Sequence, residues 1–152
     1  MQGITPFLWF DGQAEEAMKF YLSIFKDGKV LNVGRVHGQV MSVTFELLGQ
    51  RFMGLNGGPQ YKFTEAVSLF VSCDTQAEVD ELWEKLSAGG APGRCGWLKD
   101  KYGLSWQIIP TALSKLMGDP DPAKAQAVMQ AMFKMSKIVI DDLQKAYEGK
   151  AA

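Results

Sequence analysis

The sequence offers one histidine, His37, and two cysteines, Cys73 and Cys95, for nucleophilic or metal chemistry. Any Ser-His-Asp or Cys-His assembly would have to use His37. That residue stands in Val36-His37-Gly38-Gln39, a tight-turn sequence, so it is expected to be an exposed turn residue rather than a base. A two-histidine metal site within one chain is impossible. The cysteines lie far apart and in no C-x-x-C spacing, which argues against zinc. A reactive Cys95 would need a neighbouring cation; Arg94 adjoins it in sequence but would project from the opposite strand face. Asn56-Gly57-Gly58 is followed by neither Lys-Ser/Thr nor a helix start, so it reads as a strand-end turn and not as a phosphate cradle. Glu15, Glu16, Asp80, Glu81 and Glu84 are expected to be solvated helix-face charges.

Composition narrows the field further. Lys+Arg 16 against Asp+Glu 17 gives a net charge of −1, so nothing electrostatic favours nucleic acid or an anionic membrane. No apolar run reaches the ~20 residues of a membrane span. Met1-Gln2-Gly3-Ile4-Thr5-Pro6 carries no basic n-region or apolar h-region. The expectation is a cytoplasmic protein with two free thiols. At 152 residues the chain suits one ordinary domain that needs no disulfide or metal to fold.

The elements that must position any site show an internal repeat. Asp11-Gly12-Gln13-Ala14-Glu15 recurs as Asp74-Thr75-Gln76-Ala77-Glu78, an offset of 63 residues. Each copy follows a strand-like run, Phe7 to Phe10 and Val67 to Cys73. Each opens an amphipathic helix: Ala14, Ala17, Met18, Tyr21 and Leu22 in the first, Val79, Leu82, Trp83 and Leu86 in the second. Asp11, and Asp74 or Thr75, are the expected N-caps. Gly-containing turns follow, Asp27-Gly28 and Gly89-Gly90. The first half continues with strands over 30–36, 40–47 and 51–55, turning at His37-Gly38 and Gly49-Gln50. The second continues with strands over 94–99 and 104–109, turning at Asp100 to Gly103 and ending at Pro110. The pattern is β-α-β-β-β, twice, over residues 3–58 and 64–110. A helical extension covers 111–148, with Pro122 suited to a first helical position. Its apolar stripe, Val128, Met129, Met132, Phe133 and Met135, reads as core or as a dimer contact.

The run Leu8 to Ala17 resembles the opening of the PhnB-like family, as do Leu55-Asn56-Gly57-Gly58-Pro59, Cys95 to Gly103 and Leu104-Ser105-Trp106-Gln107-Ile108-Ile109-Pro110. The resemblance extends over about residues 3–148. This family lies in the vicinal-oxygen-chelate superfamily, the glyoxalase and bleomycin-resistance fold, and carries a ubiquinone-pathway methyltransferase label. The resemblance implies an α+β fold, two β-α-β-β-β modules forming a curved, incomplete barrel around a cavity, and a homodimer. The hairpin at Val36 to Gln39 is shorter than is usual in the family.

The superfamily's metal enzymes take one ligand from the first and one from the last strand of each module. Counting from the repeat places Thr5 (or Pro6), Met53, Ser68 and Gln107 there. None is a carboxylate, and Met suits copper(I), so no metal and no cofactor are expected. Side-chain alternation then gives the cavity wall. Thr5, Phe7 and Trp9 share a face, as do Met53 and Leu55, Ser68, Phe70 and Ser72, and Ser105, Gln107 and Ile109. Trp97 joins them if Gly96 permits a bulge that aims its indole at the pocket mouth. The expected ligand-binding set is therefore Thr5, Phe7, Trp9, Met53, Leu55, Ser68, Phe70, Trp97, Ser105 and Gln107.

Such a wall, aromatic and apolar with a few hydroxyls and one amide, suits a small molecule. The leading expectation is metal-independent binding. A metal-independent enzyme using Gln107, Ser68, Tyr61 or Tyr102 to polarise a carbonyl is the alternative. The methyltransferase label ranks below both: the sequence lacks the Gly-rich first loop and the length of a nucleotide-binding α/β sheet. A fourth possibility is a dimeric scaffold whose Met-rich C-terminal helices fill or cover the cavity.

Overall fold

The computed structural model describes residues 1–150. It is mixed α+β, with two open four-stranded sheets and five helices among the described residues. The chain divides into two compact units, the first ending at Phe63 and the second beginning at Thr64.

The first unit runs β1 (Phe7–Phe10), α1 (Ala14–Ile24), β2 (Lys29–Val36), β3 (Gln39–Leu47) and β4 (Gln50–Asn56). Its sheet order is β1-β4-β3-β2, with β1 parallel to β4 and the other pairs antiparallel. Ala14, Ala17, Met18, Tyr21 and Ile24 form the buried stripe of α1. They pack with Leu8, Phe10, Val43, Phe45, Leu47 and Phe52 from one sheet face. Tyr21, Phe45 and Phe52 form a stacked series, with ring centroids 6.3 and 5.5 Å apart.

Two details depart from the sequence reading. Asp11 does not cap α1. The Oδ1 of Asn56 accepts the Ala14 N–H at 2.8 Å, while Asn56 Nδ2 donates to the Val40 carbonyl at 3.1 Å. A strand-end residue thus caps the helix and ties β4 to β3. The second hairpin turns at Leu48-Gly49, one residue earlier than expected. Both residues have positive φ (49° and 79°), like His37 and Gly38 (51° and 78°) in the first hairpin. Paired positive φ values suit the twist of a two-residue hairpin.

The second unit repeats this order with β5 (Ser68–Cys73), α2 (Gln76–Ser87), β6 (Ala91–Pro92), β7 (Trp97–Lys99) and β8 (Ser105–Pro110), arranged β5-β8-β7-β6. Again the first strand runs parallel to the last. The shared register makes the duplication concrete: Phe7 pairs with Met53, and Phe70, 63 residues on, pairs with Gln107. Thr75 caps α2 through a full capping box with Glu78. Asp100, 2% exposed, closes the β7–β8 turn. Its Oδ1 accepts the Tyr102 and Leu104 N–H groups at 2.9 and 3.1 Å, and its Oδ2 accepts the Trp106 indole N–H at 2.9 Å.

The expected strand over 94–99 is shorter in the structure and starts at Trp97. Cys95 and Gly96 both have positive φ (56° and 83°). Their N–H groups donate to Met135 and Ser136 carbonyls at 2.9 and 2.8 Å instead of joining a ladder. Helices α3 (Thr111–Met117), α4 (Pro122–Phe133) and α5 (Ile140–Tyr147) complete the unit. Asp121 caps α4 with Pro122 in its first turn. Val128, Ile138, Leu143, Leu113 and Ile109 form a buried cluster, with Met132 and Met135 packed on it. The methionine stripe is thus largely core, while Phe133 is exposed.

Candidate functional site

Each sheet has one face buried against a helix, and the candidate residues lie on the other. In the first unit Leu8 and Phe10 are buried while Phe7 is exposed and Trp9 half-buried. Phe52 and Gly54 are buried while Met53 and Leu55 are half-buried. The ladder sets Phe7 beside Met53 and Trp9 beside Leu55. Thr5 precedes the strand and is half-buried; beside it, the Pro6 carbonyl accepts the Met53 N–H at 2.9 Å. Trp9 is fixed by its surroundings. Its indole N–H donates to the Gly58 carbonyl at 2.9 Å, and its ring meets Tyr61 edge-on at 4.9 Å. A Cβ on Gly57 would lie 2.2 Å from that ring, so glycine here is a packing requirement.

In the second unit the ladder sets Ser68 beside Ser105, Phe70 beside Gln107, and Trp97 on the other side of Gln107. Gln107 Nε2 donates to Ser68 Oγ at 2.9 Å, joining two candidates across the parallel pair. Phe70 is exposed; Ser68, Trp97 and Gln107 are half-buried. Ser105 is 1% exposed, and its Oγ has no hydrogen-bond partner among the described residues.

Trp97 and Ser105 line a pocket of about 270 Å³, with Ala91, Pro92, Gly93 and Leu98 as apolar walls and Glu65 and Lys99 as charged ones. Lys99 is the ladder partner of Ser105 and forms an ion pair with Glu65. The Lys99 contact, helped by a backbone hydrogen bond, holds the Glu65 carboxyl below its usual range. Sequence reading missed both charged residues. The two-residue period of β7 could have placed Lys99 beside Trp97, but nothing local points from Glu65 to Lys99. The other eight candidates do not line this pocket.

A larger cleft, about 710 Å³, lies in the first unit at the tip of the β2–β3 hairpin, with Gly12, Glu15 and Asn56. His37 is on its rim and exposed, and Arg35 reaches Glu15 across it at 3.5 Å. None of the ten candidates lines this cleft. Most of its wall is exposed hairpin, so we favour the smaller pocket, whose floor is buried.

The sequence model of the family described as 3-demethylubiquinone-9 3-methyltransferase matches residues 2–109. A PhnB protein from Bacillus cereus, provisionally given that same description, is 39% identical; the match covers 72% of this chain and 100% of that one, with a TM-score of 0.68. The chain belongs to this PhnB-like family. Two solved structures share its fold at lower identity. A glyoxalase/bleomycin-resistance/dioxygenase domain from Frankia is 19% identical, covering 72% of this chain and 92% of that one, at a TM-score of 0.51. The fosfomycin resistance protein of Listeria monocytogenes, solved with Mn(II) and sulfate, is 14% identical, covering 72% and 90%, at 0.53. These two show a shared fold. Among curated proteins no relative matches the chain.

A metal ion at the strand positions facing away from the helices would need donor side chains there. The first unit offers Thr5, Phe7 and Met53; the second offers Ser68, Phe70 and Gln107. Hydroxyls, a thioether and an amide supply no negative charge, and this set does not fit a hard divalent cation. Among the described residues no three His, Cys, Asp or Glu side chains cluster closely enough to hold an ion.

Both cysteines are free. Burial first, then the Glu78 and Asp74 carboxylates, push the Cys73 thiol up to about 11. Its folded value exceeds the ordinary 9.0, so the proton is held more tightly when folded. Its contribution to stability is complete below pH 9 and is lost as pH rises through about 11. Iodoacetamide at pH 8 is expected to modify half-exposed Cys95 and leave Cys73 untouched until the protein unfolds. Peptide mass mapping checks this; equal labelling of both in the folded protein contradicts it.

Proposed function

We propose that this PhnB-like protein binds a small, single-ring molecule without a metal ion, in the pocket beside Trp97. The observation that carries this reading is the pocket itself. Its walls are an indole, a proline and a leucine, and a buried serine hydroxyl and a lysine–glutamate pair supply its polar groups. Ligand sites usually combine a mostly apolar lining with a few polar groups that fix orientation. At about 270 Å³ the pocket falls just below the usual range for drug-sized ligands, which limits the occupant to one ring.

An enzymatic reading has less support. None of the ten candidate residues titrates near neutral pH, where a general acid or base works best. Gln107 already spends one amide donor on Ser68. The activity in the family's description would need a site for a methyl donor. The strand–helix turns here read Asp11-Gly12-Gln13 and Asp74-Thr75, not the Gly-rich turn of dinucleotide-binding sheets. Homodimerisation is part of the same proposal. Edge strand β2, with Val30 and Leu31 exposed, is the surface we favour for it. A cytoplasmic setting fits the two free thiols.

The test is a nitrogen-15 NMR titration of EDTA-treated protein with single-ring fragments, phenol and pyridine among them. Saturable shifts at the Trp97 indole and the Lys99 and Ser105 amides, with the fragment recovered unchanged, are expected. Shifts confined to the hairpin cleft, or chemical conversion of the fragment, would contradict the proposal.

A further inference from the structure

The family match ends at residue 109, and the Bacillus cereus structure, matched over its full length, accounts for 72% of this chain. Helices α3, α4 and α5 therefore lie beyond the shared module. Their polar contacts with it converge on the link between α4 and α5. Cys95 and Gly96 donate their N–H groups to the Met135 and Ser136 carbonyls at 2.9 and 2.8 Å. Ser136 Oγ donates to the Gly93 carbonyl, and Arg94 Nη2 donates to the Phe133 carbonyl at 3.1 Å. All four residues from Gly93 to Gly96 are thus tied to the link.

The link is itself anchored on α2. Gln76 Nε2 donates to the Ile138 carbonyl at 3.0 Å, and the Ile140 N–H donates to Gln76 Oε1 at 2.7 Å. Lys137 pairs with Asp80 at 2.7 Å, and Ile138 is fully buried. The gripped segment is a tight turn: the Trp97 N–H donates to the Arg94 carbonyl at 3.0 Å, the Gly93 N–H donates to the Trp97 carbonyl at 2.8 Å, and Cys95 and Gly96 both have positive φ (56° and 83°). The contacts with the link fix where this turn sits. Gly93 and Trp97, on either side of the bend, both line the pocket.

We infer that the Phe133–Ile140 link is a positioning element for the pocket: it holds Gly93 to Gly96 in the bend that sets Trp97 in the wall. This rests on the reading that the pocket binds a ligand. A wall held in its bound shape before the ligand arrives spares the cost of ordering it on binding. The C-terminal helices thus act on ligand affinity without lining the pocket.

The test uses full-length protein carrying 5-fluorotryptophan, read by fluorine NMR with and without phenol. Ser136→Ala is expected to shift the Trp97 resonance, leave those of Trp9, Trp83 and Trp106 in place, and weaken phenol binding about fivefold or more. Ser136→Thr, which keeps the hydroxyl, is expected to restore both. Arg94→Ala cuts a different bond of the clamp and is expected to move the same resonance. If Ser136→Ala and Arg94→Ala leave Trp97 unmoved, or if all four tryptophans shift together, the inference is overturned. If wild-type protein ignores phenol and every other fragment, the binding proposal falls. The ligand-free Trp97 resonance then still decides the positioning role, by moving or by staying.

Discussion

Asp100→Ala is expected to destabilise the second unit by about 3–5 kcal/mol, read as a fall in the urea midpoint followed by circular dichroism. The carboxylate is 2% exposed and accepts from the backbone N–H groups of Tyr102 and Leu104 and from the Trp106 indole. Alanine leaves these three donors without that acceptor, and each buried orphan costs about 1–3 kcal/mol. A whole domain is stable by only about 5–15 kcal/mol, so the variant should be close to unfolding at 37 °C. Trp106→Phe removes one donor and keeps both backbone bonds. Its expected cost is about 1–2 kcal/mol, clearly the smaller. Equal losses in the two variants would show that the turn does not depend on the carboxylate.

Gly90→Ala is expected to cost about 2–3 kcal/mol and to abolish phenol binding within the titratable range. A Cβ there would sit 2.1 Å from the Lys99 carbonyl oxygen and 2.6 Å from the Asp100 carbonyl carbon. Both are backbone atoms, which cannot swing aside as a side chain can. Relief must come from parting β6 from β7, where Ala91 pairs with Lys99 and Pro92 with Leu98. Those four residues all line the pocket. Gly89→Ala is the comparison. Its backbone has φ 74°, but the added Cβ would meet only Lys101 side-chain carbons, at 3.3 Å or more. It is expected to cost about 1–2 kcal/mol from left-handed strain and to leave binding intact. Intact phenol binding in Gly90→Ala would detach the pocket from the β6–β7 edge.

The duplicated architecture was legible because its signals are local. Asp11-Gly12-Gln13-Ala14-Glu15 and its echo at Asp74 each sit between a strand and a helix, and strand alternation fixes which side chains face away from that helix. What escaped depends on partners distant in sequence. Asn56 caps α1 from 42 positions along the chain, so Asp11, the local choice, looked better. The run from Arg94 to Gly96 reads as strand, yet it is a turn in which Cys95 and Gly96 give their N–H groups to the Met135 and Ser136 carbonyls. The same holds for the candidate site. Trp97 and Ser105 could be placed by periodicity, whereas Glu65 enters through an ion pair with Lys99 that no spacing rule connects. Asp100 reads as an ordinary turn residue; its three bonds appear only once β8 brings Trp106 alongside.

The most direct test is the phenol dissociation constant of wild-type protein, measured by titration calorimetry first in EDTA and then with excess manganese(II). The same value is expected in both, because Phe7, Met53, Phe70 and Gln107, paired across β1–β4 and β5–β8, offer an ion no charged ligand. Binding that appears only after the metal is added would contradict it.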